Sequence, residues 1–486
     1  MEIYVVQSGD TFYRIAQKYG LTVAQLQAAN EIPDPAKLAV GQALLIPTPT
    51  ATALRYTVRS GDALYRLAQL FNTTISAIVQ ANQIANPDLL TVGQILTIPG
   101  WSQTQYTVQS GDTLYQIATR YNSTVNLIVA VNALANSALI YPGQVLVIPQ
   151  VQSGAVAATS IASIGYFQIS SINKLEQSIA QLGQYFTYGA LFHYPVSSTG
   201  TITVSANTQR AVTALKNQNV KPLAVITNWG STGTFESDLA HTILSDATVK
   251  TQTINNLVTV LGNYQFSGVN VDFENMYPAD RQLYNNFIRD LAAALKPRGY
   301  TVSIAVAPKA ADYPNASWVG AFDYATLGSL VDFVFIMTYE WGWVGGPPMA
   351  VSPINQVRSV LTYAVSQIPA NKVIQGVPLY GYDWPLPQTA ANLAATVDLV
   401  NVYTLATNYN AVINYDTTAQ APWFNYYDTQ GRQHEVWFDD ARSVTVKYQT
   451  AQEFKLRGVG FWSPFNQPYG FTANWLIFAQ MFSVTK

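Results

Sequence analysis

Two rhythms of apolar and polar positions divide the chain. Before about residue 150, short apolar runs are punctuated by Ser-Gly-Asp turns. From Ser160 onward, apolar runs of strand length alternate with amphipathic helical stretches. The strand candidates are SIASIGYFQI, FTYGALFHYPV, KPLAVITNW, FSGVNVDFEN, TVSIAVAPK, VDFVFIMTYE, KVIQGVPLYGY and GVGFWSPF. Between them lie segments such as NTQRAVTALKNQ and PADRQLYNNFIRDLAAALKPRG, whose apolar residues recur at helical spacing. Eight strand–helix units predict an α/β fold, a (β/α)8 barrel over residues 160–486. A doubly wound open sheet is the alternative, but no Gly-rich phosphate turn supports it. Residues of about 385–450 are too long for one helix. Their aromatic runs around Thr429-Gln430-Gly431 predict a hairpin-bearing insertion between strands seven and eight.

The first part is a repeat. YVVQSGDTFYRIAQKYG, YTVRSGDALYRLAQLFN and YTVQSGDTLYQIATRYN begin at Tyr4, Tyr56 and Tyr106. Asn30, Asn82 and Asn132 each follow the motif glycine by 21 residues, and Gly41, Gly93 and Gly143 by 32. Each copy reads as strand, turn, two helices and closing strand, giving modules at 3–48, 55–99 and 105–149. Asp10, Asp62 and Asp112 are expected as helix N-caps. Gly20, Asn72 and Asn122 stand where a helix ends in a left-handed residue. Ile15, Leu67 and Ile117 are expected to pack with Leu26, Ile78 and Ile128. TPTATALR, GWSQTQ and QVQSGAVAATS read as linkers.

Within the fourth barrel strand, Asn270, Asp272 and Glu274 share one face by two-residue periodicity, while Val269, Val271 and Phe273 take the other. Burying an unpaired carboxylate is costly. The next basic residue, Arg281, lies on the following helix. In a barrel the C-terminal strand ends form the active mouth, so two acids there are read as chemistry rather than as a helix cap.

Composition narrows the choices. The net charge of −2 provides no basic field for nucleic acid. With no Cys and three His, disulfides are excluded and a Cys/His zinc site is not expected. Neither a metal nor another cofactor is expected. No apolar run has the length of a membrane span. The opening MEIYVVQSGD has neither a basic nor an apolar signal region, so no ordinary secretion signal is expected. The aromatic content of 12% suits sugar stacking, but equally a large core.

The three repeats resemble the LysM domain. That resemblance implies a βααβ fold that binds N-acetylglucosamine-containing glycans in peptidoglycan or chitin, in a groove between the loop after the first strand and the loop before the last. Residues mapping there are Thr11, Asn30 and Ile32, then Ala63, Asn82 and Ile84, then Thr113, Asn132 and Leu134. The asparagines and aspartates also suit turn-shaping, with backbone groups left to bind sugar.

SGVNVDFE resembles the signature of the family 18, chitinase-like, glycoside hydrolases. With DFVFIMTYEWGW, GGPPMAV, GVPLYGYDW and GVGFWS, the likeness covers residues 160–486. It is nearest the spore cortex-lytic N-acetylglucosaminidases, which join LysM modules to this barrel. The family implies a retaining mechanism in which the substrate's acetamido group is the nucleophile. By that resemblance Glu274 is the general acid and Asp272 holds the acetamido N–H. Tyr339 bonds the acetamido oxygen and Trp462 forms the floor under the sugar. Asn270, Glu340, Tyr380, Tyr382, Trp384 and Trp229 are expected around the substrate, and His193 either reaches the cleft or packs beside it. Ser267, Asn270 and Glu340 depart from the usual acids. Asn270 can hydrogen-bond Asp272 but cannot share a proton with it.

The resemblance therefore implies a LysM-anchored hydrolase of peptidoglycan, either spore cortex or its fragments, associated with the spore coat or cortex of a spore-forming bacterium or otherwise with the cell wall. A chitinase and a catalytically silent glycan-binding protein are the alternatives.

Overall fold

A computed structural model describes the chain apart from residues 1, 33, 48–51, 85, 88, 122, 137–138, 152–157 and 465–471, and apart from the side chains of 52 and 151. Two compact units are present. One contains residues 1–2, 12–26 and 46–158; the other contains 3–11, 27–45 and 159–486.

The second unit is built on a closed parallel barrel. Its strands are β1 (Thr159–Gln168), β2 (Tyr188–Pro195), β3 (Lys221–Thr227), β4 (Gly268–Asp272), β5 (Thr301–Val306), β6 (Phe333–Ile336), β7 (Val373–Pro378) and β8 (Gly458–Trp462). Each pairs with the next, and β8 pairs with β1 from Gly458 opposite Ala162 to Phe461 opposite Gly165, leaving no open edge. The two faces of each strand serve different cores. Val269 and Val271 of β4 pack outward against helix residues such as Phe287 and Leu291. Ile164, Leu223, Val225, Phe335 and Ile374 fill the interior. The helix Arg281–Leu295 buries Tyr284, Phe287, Ile288 and Leu291, the stripe its sequence spacing predicts.

The continuous run KVIQGVPLYGY is divided in the fold. β7 ends at Pro378, and Tyr380–Pro385 becomes the first strand of a separate five-stranded antiparallel sheet. That sheet runs Ala395–Asp398, Tyr380–Pro385, Gln433–Trp437, Ala421–Tyr427 and Asn414–Asp416. The expected hairpin is its centre, turning through Asp428 and Gly431. Leu379 N–H donates to Trp462 O at 2.9 Å, tying the departure point to the end of β8.

In the first unit, the second and third modules share one continuous strand. Ile95–Thr107 closes one module and opens the next, pairing with Thr52–Thr57 and Val145–Val151. GWSQTQ is thus strand rather than linker: Trp101 is buried and its indole donates to Phe71 O at 2.6 Å. The expected core pairs Leu67 with Ile78 and Ile117 with Ile128 are fully buried. Asn72 and Gly20 adopt positive φ, +43° and +68°, as a helix end requires, while Asn122 lies outside the described residues. The aspartates do not cap helices. Asp62 accepts from Arg59 N at 2.8 Å and Tyr56 Oη at 2.9 Å, and Asp112 from Gln109 N and Tyr106 Oη. They clasp the turn before the helix, which starts two residues later. In the third module Thr113 supplies the cap, in a reciprocal box with Gln116. Among the described residues, no helix is long and apolar enough to cross a membrane.

Candidate active site

β4 presents Asn270 and Asp272 to the barrel interior, with Val269, Val271 and Phe273 facing the helices. Beyond the last ladder position, Asn228 holds the backbone of Glu274. Its Oδ1 accepts from Glu274 N at 2.9 Å and its Nδ2 donates to Glu274 O at 2.8 Å. A third bond, from Nδ2 to Glu236 O at 3.0 Å, ties the same amide to the β3 loop. Glu274 is thereby fixed through its backbone and remains half-buried at the cleft. No local pattern marks Asn228, whose partner lies 46 residues away.

Among the described residues Asn270 makes no hydrogen bond to Asp272, although its amide is able to. Its Oδ1 accepts from Tyr166 Oη at 3.0 Å, and its Nδ2 donates to Ser303 Oγ at 3.0 Å. The amide is thus engaged by Tyr166 of β1 on one side and by Ser303, its register partner on β5, on the other. Asp272 is 4% exposed and its Oδ1 has no hydrogen-bond partner among the described residues. Burial pushes its carboxyl well above the ordinary carboxylate range. Glu274 is also raised, first by burial, then by the neighbouring Asp272 and Glu340 charges. The two acids lie close enough to titrate as a pair. Arg281, the nearest basic residue in sequence, is bound bidentately to Asp312 at 2.9 and 3.0 Å.

These acids line a cleft of about 920 Å3 at the barrel mouth. Tyr339, Glu340, Tyr380, Trp229 and Trp462 line it as well. Tyr339 follows β6, and glycine at position 376 of β7 makes room for its ring: a Cβ there would lie 2.8 Å from Tyr339 Cε1 and 2.7 Å from Ile336 O. Trp462 ends β8 and packs edge-on to Phe192, at 4.9 Å between centroids. Glu340, at φ +68°, accepts hydrogen bonds from Tyr380 Oη and, at 2.9 Å, from Tyr382 Oη. The insertion's first strand thus orients Glu340, with Tyr382 behind rather than in the cleft wall. Trp384 is not a cleft residue. It is fully buried, its indole donating to Gly346 O at 2.9 Å, because it sits one strand repeat farther into the insertion core.

His193 packs rather than lines. Its Nδ1 pairs with Thr227 Oγ1 at 3.0 Å, its ring meets Trp229 edge-on, and burial lowers its pKa. Aromatic positions that sequence reasoning left unassigned enlarge the cleft: Phe235, Trp318, Trp341 and Trp343. Trp318 and Trp343 line the cleft while 48% and 49% exposed, so their rings are open to solvent rather than part of the core. The spaced tryptophans of YEWGW were a signal for Trp341 and Trp343; Phe235 and Trp318 had none. Among the described residues no cluster of His, Asp and Glu has the grouping of a metal site.

In the modules, the three asparagines serve the fold. Asn30 clamps Leu45 through its amide, accepting from N at 2.7 Å and donating to O at 2.8 Å; Asn82 does the same to Thr97 and Asn132 to Val147. Thr11 is exposed and Ala63 and Thr113 stand at helix starts. Ile84 and Leu134 are half-buried against their module cores, while Ile32 is 5% exposed.

A closed eight-stranded barrel with paired acids at its C-terminal mouth and an aromatic cleft defines a glycoside-hydrolase type of protein. The profile of "Glycosyl hydrolases family 18" matches residues 157–466, and that of the LysM domain matches 4–47, 56–99 and 106–149. The chain belongs to glycosyl hydrolases family 18, with three LysM domains at its N-terminal end. It is 45% identical over 433 residues to the cortical fragment-lytic enzyme of Bacillus subtilis (strain 168), covering 89% of this chain and 98% of that protein. The crystal structure of the Bacillus cereus spore cortex-lytic enzyme SleL superposes with a TM-score of 0.74 at 34% identity, covering 100% of this chain and 98% of the other. The SleL structure from Bacillus megaterium QM B1551 gives 0.73 at 31%, with the same coverage.

Proposed function

We propose that the protein is an N-acetylglucosaminidase acting on spore cortex peptidoglycan or its fragments, held at the wall by LysM–glycan contacts. The observation that carries this reading is the Asp272–Glu274 pair: two acids from one strand end, one buried without a cation, facing an aromatic cleft. The likeness to enzymes named for cortex lysis supports the substrate class.

In the proposed reaction Glu274 begins protonated. It donates its proton to the glycosidic oxygen as the bond to the anomeric carbon breaks. The 2-acetamido carbonyl oxygen of the same sugar attacks that carbon, forming an oxazolinium ion. Asp272 accepts a hydrogen bond from the acetamido N–H and offsets the positive charge. Tyr339 donates to the acetamido oxygen and sets its line of attack. Water then adds to the anomeric carbon, its proton passing to Glu274, and the ring opens with net retention. A sugar whose amide is cyclised into a lactam cannot supply this nucleophile, so cleavage follows N-acetylglucosamine.

The test is mass spectrometry of products from cortex fragments, intact peptidoglycan and chitin oligomers. Cortex products ending in reducing N-acetylglucosamine support the proposal. Turnover of chitin oligomers alone reassigns the substrate, and no turnover of any polymer makes the barrel a binding scaffold.

A further inference from the structure

The three LysM copies agree in sequence spacing but not in exposure. The first module's strands and loops, residues 3–11 and 27–45, lie in the same compact unit as the barrel. Its loop before the closing strand runs along the base of the insertion. Ile413 N donates to Val40 O at 2.9 Å, and Arg442, stacked over Tyr415 at 4.3 Å, donates to Gly41 O at 3.3 Å. At the other end of that loop, Glu31 accepts from Thr472 N at 3.2 Å and from its hydroxyl. Ala39 and Leu45 join the barrel's outer core.

The equivalent surfaces of the other modules are open. Ala43 is 3% exposed, whereas its counterparts Ile95 and Val145 are 51% and 56% exposed. The glycines make the comparison sharpest. Gly41, Gly93 and Gly143 share one backbone conformation, with φ of +86°, +90° and +87°. A Cβ at Gly41 would lie 1.9 Å from Ile413 O, while at Gly93 and Gly143 it would meet nothing within 4 Å. The backbone turn is therefore common to all three repeats, and the close approach belongs to the first alone. The residues that permit it are small, Ala39 and Ala43, where the other copies carry Thr91 or Tyr141 and Ile95 or Val145.

We infer that the first LysM module is a docking element of the catalytic barrel, its groove loop committed to the insertion, and that retention on the glycan rests on the second and third modules. The retention half of this inference depends on the glycan-binding reading of LysM given above; the docking half does not.

The test uses the full chain. Gly41→Ala, Gly93→Ala and Gly143→Ala impose the same backbone strain, so any excess effect at Gly41 reports the contact. Hydrogen exchange over residues 40–46 and 411–416 should speed up about tenfold or more in Gly41→Ala and stay unchanged in the other two. Thr472→Val, made on the barrel side, should loosen residues 29–33 without altering the module's own sequence. Equal behaviour of the three glycine variants would overturn the docking. In the Glu274→Gln background, N-acetylglucosamine hexamer should slow exchange at residues 58–66 and 108–116 and leave the exposed loop 7–11 unchanged. Protection of residues 7–11 at matching ligand concentration would overturn the division of labour. Protection of no module would remove the glycan reading of all three, and the glycine series would then decide docking alone.

Discussion

The acid pair should make the barrel lose stability as pH rises through the acidic range. In the unfolded chain both carboxyls titrate near 4. In the folded barrel burial raises both, and mutual repulsion keeps a proton on the pair toward neutrality. A group raised above its unfolded value contributes stability fully below the unfolded pKa and loses it on the way up to the folded one. Across that window the folded chain holds about one proton more than the unfolded chain. One proton corresponds to about 1.4 kcal/mol per pH unit, so roughly 3 kcal/mol is lost between about pH 4.5 and 6.5. Asp272→Asn with Glu274→Gln removes the titration. Denaturant unfolding of the barrel, followed by tryptophan fluorescence at three pH values, should show the variant gaining on the wild type by about that amount as pH rises. A difference that stays constant with pH would refute the claim that these carboxyls are desolvated.

Four other outcomes follow from the cleft. Glu274→Gln should lower kcat by about 10²–10⁴-fold with KM little changed, as loss of a positioned general acid does, measured by product release on cortex fragments. Glu340→Gln removes a negative neighbour, so Glu274 should ionise more readily and the alkaline limb of the kcat profile should move to lower pH; an unchanged limb contradicts that coupling. Gly376→Ala should push the Tyr339 ring from its place and reduce kcat about tenfold or more, while Trp343→Ala, which removes a solvent-open ring of the cleft, should raise KM for long substrates with little change in kcat.

The repeat was legible because its spacing is invariant, and the acid pair because a strand's alternation is the strongest local rule available. What escaped reading has common physical causes. In KVIQGVPLYGY only Pro378 marks the point at which the chain leaves the barrel for another sheet, and the apolar run on either side of it masks that signal. GWSQTQ has the composition of a linker, yet Trp101 anchors it as strand through a bond to Phe71 that only tertiary structure reveals. The module aspartates have the right type for caps but sit in turns where Tyr56 and Tyr106 hydroxyls compete for them. Trp384 has the alternation of Tyr380 and Tyr382 but lies deeper in the insertion, where its indole meets a carbonyl. Asn228 is invisible because its work is done on distant backbone.

The strand Ile95–Thr107, common to the second and third LysM modules, has a consequence for avidity. With flexible tethers, two weak sites gain through a local concentration that varies slowly with tether length. Here no tether separates them, and Arg59 reaches across to Val131 O at 2.9 Å. On the proposed glycan-binding reading the pair would act as a ruler: a saccharide chain whose repeat matches its fixed span would engage both modules at little entropic cost, and one out of step would engage only one.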